Sequence, residues 1–134
     1  MNLLFDKDIN NKDRFDIVLL INAVTEKNFG DFITAISDKK DWIEELCCCY
    51  FEVNNNSDSY LFETFEGENF YMLYEDFIEY VKLAIIRYLN NCKNTENREQ
   101  IRAIVARSIF ADLLESSYIN DNLKVPLIYV QKDE

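Results

Sequence analysis

Residues 60–89 read YLFETFEGENFYMLYEDFIEYVKLAIIRYL, and the spacing of the apolar residues changes inside this stretch. Tyr60–Phe65 alternates in the manner of a strand, and Asn69–Tyr74 is rich in aromatic residues. Glu66-Gly67-Glu68 lies between the two runs. Two strand-like runs joined by a short polar segment predict a β-hairpin around residues 59–74.

A helical pattern begins at about Glu75, directly after the predicted hairpin. Its apolar side chains recur at a period of 3.6 residues, while Glu75, Glu79 and Lys82 lie off this stripe. The pattern ends near Asn90, and its stripe consists of Phe77, Val81, Ala84, Ile85 and Tyr88.

Further helices are predicted on both sides of this region. Asp13–Thr25 is apolar over most of its circumference, which is typical of a core helix. Phe29–Ile36 carries a shorter stripe interrupted near Gly30, and Trp42–Leu46 predicts another turn or two that runs into the cysteines. A last helix, capped by Asn94 or Thr95, has a stripe made of Ile101, Ile104, Val105, Ile109 and Leu113.

The remaining segments predict turns and one short strand. Asn54–Asp58 is a turn cluster, and Leu123–Val130 predicts a strand that Pro126 confines to a sheet edge. The chain has 134 residues, only two glycines and one proline, and no internal repeat, which favours helices in one domain over 1–134. We therefore expect an α+β fold, predominantly α-helical, with one β-hairpin.

Charge is distributed very unevenly along the chain. There are 25 acidic and 14 basic residues, a net charge of −11, yet eleven acids and no Lys or Arg lie in Asp41–Val81, here called the acidic segment. The rest of the chain is neutral, and the acidic segment also holds eleven of the nineteen aromatic residues. A protein surface that needs only to keep the protein soluble normally carries both acidic and basic residues. We therefore interpret the segment as a docking surface for a basic partner, not only as a solvated face over an aromatic core.

Composition also disfavours several classes of function. A net negative chain is a poor binder of nucleic acid and of anionic membranes, and no apolar run approaches the ~18 residues of a membrane span. The N-terminus lacks the features of a signal peptide, so a cytoplasmic protein is expected. The chain has no histidine, the commonest general base and metal ligand, so we expect no enzyme.

Two local patterns could suggest a metal site, and neither is convincing. Three consecutive side chains, Cys47–Cys49, cannot all point one way, so they are interpreted as reduced, packed thiols. Glu52–Glu63 partly imitates a calcium loop, but Ser57 stands where the sharp turn needs glycine. We predict no metal and no cofactor.

The segment Glu75–Leu89 resembles a helix of the bacterial immunity proteins that guard against contact-dependent growth inhibition toxins. In the ribonuclease-toxin branch of that family, a helix of the type E-x-F-x-x-Y-x-K-L-A-x-x-R-Y follows a hairpin rich in acids and aromatics. That hairpin corresponds to Tyr60–Tyr74 here, and the stretch from Trp42 to Cys48 is also similar. The resemblance covers about Asp41–Leu89.

This resemblance implies a cytosolic inhibitor of a toxin delivered by a neighbouring cell. Such a protein binds the basic C-terminal nuclease domain of the toxin and covers its active site or its RNA-binding surface. A ribonuclease, for example of the EndoU-like class, is the implied target. The residues expected to contact it are Glu63, Glu66, Glu68, Tyr71, Tyr74, Glu75, Asp76 and Glu79.

Two alternatives belong to other functional classes. An acidic adaptor, or a regulator that mimics nucleic acid, would bind some other basic protein through the same charged segment. A small metal-dependent enzyme would instead use the acidic segment to bind a divalent metal ion. Considered separately, Glu75 and Glu79 are one helical turn apart and would suit acid–base chemistry if burial raised one pKa, but we interpret them as members of the docking surface.

Overall fold

Helices and antiparallel strands combine in a mixed α+β fold, seen in a computed structural model. The structure describes residues 17, 20, 21, 23, 24, 28–44, 47–64, 69–116 and 119. The elements with described bounds are, in chain order, α1 (Phe29–Ser37), β1 (Cys47–Asn54), β2 (Ser57–Thr64), β3 (Phe70–Leu73), α2 (Tyr74–Asn91), α3 (Thr95–Ala106) and a 3₁₀ turn (Ala111–Glu115).

The predicted β-hairpin is confirmed as the pair β2 and β3. The two strands are antiparallel, with a register that runs from Ser59 opposite Leu73 to Phe62 opposite Phe70. The following helix is confirmed as α2, which begins one residue before the predicted start. Its described stripe is buried at Phe77, Val81, Ala84 and Ile85.

Strand β1 is the main departure from the sequence-based expectation. The helical turn predicted at Trp42–Leu46 is wrong, because Trp42 pairs with Cys49 as an isolated antiparallel bridge. The cysteines that follow begin a strand that pairs with the whole of β2. Three apolar residues at helical spacing are a weak local signal, and cross-strand pairing overrides it.

A two-residue turn joins β1 to β2. Asn54 pairs with Ser57, and Asn55 and Asn56 between them both have positive φ angles, 53° and 67°. This is the geometry of a type I′ turn, which suits the right-handed twist of paired strands and which asparagine tolerates well. The predicted Asn54–Asp58 turn is therefore confirmed, but it belongs to a second hairpin.

The sheet has two different faces, called here the inner and the outer face. Cys49 pairs with Phe62, and the neighbouring Tyr60 is equally buried, so these side chains define the inner face. Helix α2 packs on it: the Phe77 ring centroid lies 5.1 Å from that of Phe62 and 5.4 Å from that of Tyr60. Many aromatic side chains of the acidic segment therefore build the core.

Helix α1 closes the core from another side, and its predicted stripe is confirmed. Gly30 does not interrupt the helix: a Cβ at this position would lie 2.5 Å from Cδ1 of Ile104. The glycine therefore allows α1 to approach α3 closely. The buried residues of α1 are Phe29, Phe32, Ile33 and Ile36.

Helix α3 begins as predicted and ends earlier than predicted. The Oδ1 atom of Asn94 accepts a hydrogen bond of 2.9 Å from the Asn97 N–H, which is a side-chain cap. The helix ends at Ala106, so the predicted stripe does not continue through Ile109, which is 53% exposed. Phe110 is buried in its place.

The predicted N-terminal core helix is described only in part. Residues 17, 20, 21, 23 and 24 are helical, and four of them, Ile17, Leu20, Ile21 and Val24, are buried. Phe15, Val18, Leu19 and the predicted strand Leu123–Val130 lie outside the described residues. Within the described ranges, no helix combines the length and the apolar character needed to cross a membrane.

Candidate partner-binding surface

Two carboxylates of the acidic segment form hydrogen bonds beside the edge of β1, one with the strand and one with the preceding tryptophan. The Phe51 N–H donates to Oδ1 of Asp41 at 2.7 Å, and Trp42 Nε1 donates to the Glu44 carboxylate at 3.2 Å. The Trp42 backbone also exchanges hydrogen bonds of 2.8 and 2.9 Å with Cys49. The Asp41 carboxylate and the Trp42 backbone cover backbone positions that an edge strand would otherwise leave unpaired, whereas the Glu44 carboxylate holds the Trp42 indole. Asp41 and Glu44 therefore have structural roles.

A third carboxylate is neutralised by a base that lies just before the acidic segment. Lys39 Nζ is 2.6 Å from Oδ2 of Asp58, and it also lies 5.2 Å from the ring centroid of Tyr74 and 6.0 Å from that of Phe51. The lysine thus sits over two aromatic rings while it pairs with a carboxylate. This contact cannot be predicted from the sequence, because Lys39 and Asp58 are 19 residues apart.

The predicted acids on α2 are exposed and lie together at its start. Glu75 and Asp76 occupy the first turn, where the helix dipole favours negative charge. Within the described part of the chain they make no ion pair. Glu79 is one turn further on and forms an exposed ion pair of 3.2 Å with Lys82. This surface, formed by Glu75, Asp76 and Glu79, is called here the α2 acidic face.

Glu63 is not part of the α2 acidic face. It pairs with Cys48 and alternates with the buried Phe62, so its side chain lies on the outer face of the sheet. Helix α2 starts beside Ser59, which is four residues and therefore ~13 Å along β2 from Glu63. The other two predicted acids, Glu66 and Glu68, lie outside the described residues.

The two predicted tyrosine anchors are placed very differently, and Tyr74 is part of the core architecture. It is half-buried, and its hydroxyl donates to the Ile36 carbonyl at 2.7 Å, which ties α2 to the end of α1. Burial and the nearby carboxylates of Asp58 and Asp38 raise the pKa of Tyr74 to about 12. A side chain held in this way has little surface left for a partner.

Tyr71 is the exposed one of the pair. It is 55% exposed on the outer face, and its hydroxyl donates to Oε1 of Glu52 at 3.2 Å. That hydrogen bond raises the pKa of Tyr71, because the carboxylate holds the neutral phenol. Leu73, two residues along the same face, is 41% exposed. Sequence reasoning missed Glu52 and Leu73, although Leu73 follows Tyr71 at strand spacing.

The cysteines follow the alternation of β1. Cys47 and Cys49 are buried on the inner face, Cys48 is only partly buried, and all of them are free thiols. Burial raises the pKa of Cys49, which keeps the thiol neutral. Among the described residues, no three or more Cys, Asp or Glu side chains are grouped so that they could hold a metal ion. The imitation calcium loop is a paired hairpin, in which Glu52 lies opposite Ser59.

Comparison with family models, with curated proteins and with solved structures finds no match for this chain. The resemblance to immunity proteins therefore stays a prediction from the residues of Asp41–Leu89.

Proposed function

We propose that this protein is a bacterial immunity protein. It binds the basic nuclease domain of a contact-dependent growth inhibition toxin in the cytoplasm and blocks access of RNA to that domain. The observation that carries the proposal is the segregation of charge. The acidic segment has eleven acids and no base, and its carboxylates on α2 are exposed in the first turns of the helix.

The placement of the aromatic residues supports a binding role for these acids. The core side chains beneath the α2 acidic face are large and fully buried, Phe77 among them, so the helix start is held firmly. Binding therefore has to order the exposed acidic side chains but not the backbone that carries them. Asp41, Glu44 and Asp58 are engaged inside the protein, whereas Glu75 and Asp76 are available to a partner.

The proposed mechanism is steric and electrostatic, without covalent chemistry. A nuclease that binds RNA presents Lys and Arg at its active site, and the α2 acidic face would pair with those groups. Complementary charge raises association rates toward ~10⁸ M⁻¹s⁻¹ at low salt, against roughly 10⁵–10⁶ M⁻¹s⁻¹ for neutral pairs. Fast capture matters for an inhibitor whose target has already entered the cell.

The proposal predicts that a neighbouring gene encodes a nuclease toxin domain, and that domain, once purified, provides the test. RNA cleavage is followed with and without this protein, at low salt and at ~0.5 M salt. We expect stoichiometric inhibition at low salt that weakens at high salt. Binding that leaves cleavage unchanged would favour the acidic adaptor, and the absence of binding would refute the proposal.

The metal-dependent enzyme is tested separately by thermal unfolding. Millimolar Mg²⁺, Mn²⁺ or Ca²⁺ would raise the melting temperature of a protein with a specific divalent site, because ligands that bind only the folded state stabilise it. We expect no shift beyond that produced by a matched concentration of monovalent salt.

A further inference from the structure

A groove lies on the sheet beside the β1–β2 turn. Its volume is about 500 Å³, and Asn54, Ser57, Ser59, Tyr71 and Leu73 are among the residues that line it. Ser59 on the central strand lies between Glu52 and Leu73 in one row across the sheet. A small residue flanked by larger ones leaves a hollow, and the residues at its rim come from all three strands.

The walls of this groove combine an aromatic face, an aliphatic side chain and polar groups. Tyr71 and Leu73 are 55% and 41% exposed, and they lie two residues apart on one strand. The Glu52 carboxylate lies 3.2 Å from the Tyr71 hydroxyl. None of the residues that line the groove is basic. An anion would meet no cation there, and the Glu52 carboxylate adjoins the groove at the Tyr71 hydroxyl.

We propose that the groove receives an arginine side chain of the basic partner, whose guanidinium stacks on Tyr71 and pairs with Glu52. The identity of that partner as a nuclease toxin rests on the proposed function. Arginine fits better than lysine because its planar guanidinium stacks on an aromatic ring and donates to a carboxylate at the same time. The Asn54, Ser57 and Ser59 side chains offer further acceptors for the remaining N–H groups.

The docking surface then includes part of the outer face of the sheet, in addition to the α2 acidic face. The two regions are linked in the chain where β3 runs directly into α2, since Leu73 is followed by Tyr74 and Glu75. Because α2 packs on the inner face and the groove lies on the outer face, a partner that uses both regions has to reach around this junction, with an arginine in the groove and other cations on Glu75 and Asp76.

The first arm of the test uses a small probe and needs no toxin. Acetyl-arginine amide is titrated into isotope-labelled protein and followed by NMR, with acetyl-citrulline amide, its neutral isostere, as the matched probe. We expect saturable shifts confined to the groove with arginine and none with citrulline. Tyr71→Leu keeps an apolar strand residue but removes the ring, and it should weaken arginine binding about three- to fivefold. Equal shifts with citrulline would overturn the inference.

The second arm measures the affinity for the toxin domain. Tyr71→Leu and Glu52→Gln should each weaken it about tenfold or more, as expected for a central aromatic or charged contact. Tyr71→Phe, which keeps the ring, should stay within about threefold. Glu96→Gln, an exposed acid on α3, is the control and should change nothing.

The two arms separate the inference from the proposed function. If the toxin binds tightly and neither Tyr71→Leu nor Glu52→Gln weakens this binding, the inference that the groove binds arginine is wrong, whereas the immunity function is still supported. Arginine binding in the groove without any toxin binding would support the groove and refute the nuclease partner. Thermal unfolding of each variant checks that it is folded, and Glu52→Gln and Tyr71→Phe are conservative enough to keep the test decisive.

Discussion

Lys39 shows how one residue can combine local strain with long-range contacts. It has a φ of 58°, and α1 ends there in a Schellman motif: the Lys39 N–H donates to Ile36 and the Lys40 N–H donates to Ala35, at 3.1 and 2.9 Å. Glycine is the usual residue at this position because a Cβ is strained there. From this position the Lys39 ammonium group reaches Asp58 and the two aromatic rings.

Two substitutions separate these effects. Lys39→Ala removes the contacts and keeps the strain, so it should lower the free energy of unfolding by about 1 kcal/mol. Lys39→Gly removes the same contacts and the strain, so it should be more stable than Lys39→Ala by about 1 kcal/mol. Urea unfolding measures both values. If the two variants are equally stable, the backbone at residue 39 is not strained by a Cβ.

The raised pKa of Tyr74 predicts that the free energy of unfolding decreases at high pH. Folding raises its pKa from the ordinary 10.0 to about 12, so the folded protein holds this proton more tightly than the unfolded chain does. The contribution of this proton to the free energy of unfolding is fully present below pH 10 and is lost as the pH rises toward 12. Tyr60 and Cys49, whose pKa values burial also raises, contribute in the same direction.

The measurement is the free energy of unfolding of wild type and Tyr74→Phe between pH 8 and pH 11. The variant lacks the hydrogen bond to Ile36 and should be less stable at neutral pH by about 1 kcal/mol. It also lacks the titrating phenol, so its stability should fall less steeply above pH 10. Parallel curves would show that Tyr74 does not contribute to the pH dependence.

At the scale of the elements, the sequence predicted the helices better than the first strand. The stripes of α1 and α2 each bury three or more residues at helical spacing, which is a strong signal in one segment. The sequence of β1 indicates a strand less clearly, because apolar and polar residues do not alternate in Cys47–Cys49. The strand that pairs with β1 also lies in a different segment, beyond the turn. Pairing with β2 and the caps from Asp41 and Trp42 determine its conformation.

The β1–β2 turn offers a direct test of this second hairpin. In a type I′ turn the preferred pair is Asn-Gly, so Asn56→Gly should stabilise the protein by a few tenths of a kcal/mol to about 1 kcal/mol. Asn56→Ala forces a Cβ without a polar group into the left-handed region and should destabilise it by about 1 kcal/mol. Thermal or urea unfolding checks both. The opposite order of stabilities would contradict the turn type.

At the scale of the whole molecule, the acidic segment divides into two parts. The sequence shows where the acids lie along the chain. It does not show which acids bond to β1 or to Lys39 and which face outward, because this difference depends on contacts such as that of Lys39 with Asp58. Nor could it tell Tyr74, which is tied to Ile36, from the exposed Tyr71. The separation of Glu63 from the α2 acidic face follows from the strand register, which one sequence does not reveal.

The α2 acidic face predicts the effect of charge reversal on binding. Glu75→Lys combined with Asp76→Lys should weaken binding to the toxin domain tenfold or more, by about 1.4 kcal/mol at least, and flatten its salt dependence. The same change costs about 0.3–1 kcal/mol of helix stability per charge, because the helix dipole favours acids there. Glu96→Lys, in the first turn of α3, controls for that effect. Equal weakening by Glu96→Lys would contradict a specific role of the α2 acidic face.

Electrostatic steering is tested by the association rate of this protein with the toxin domain, measured from low salt to ~0.5 M salt. If the acidic segment steers a basic partner, the association rate falls by about tenfold or more over this range while the dissociation rate changes much less. An association rate that does not depend on salt, or a toxin domain that does not bind, would contradict the capture of a basic toxin by the acidic segment.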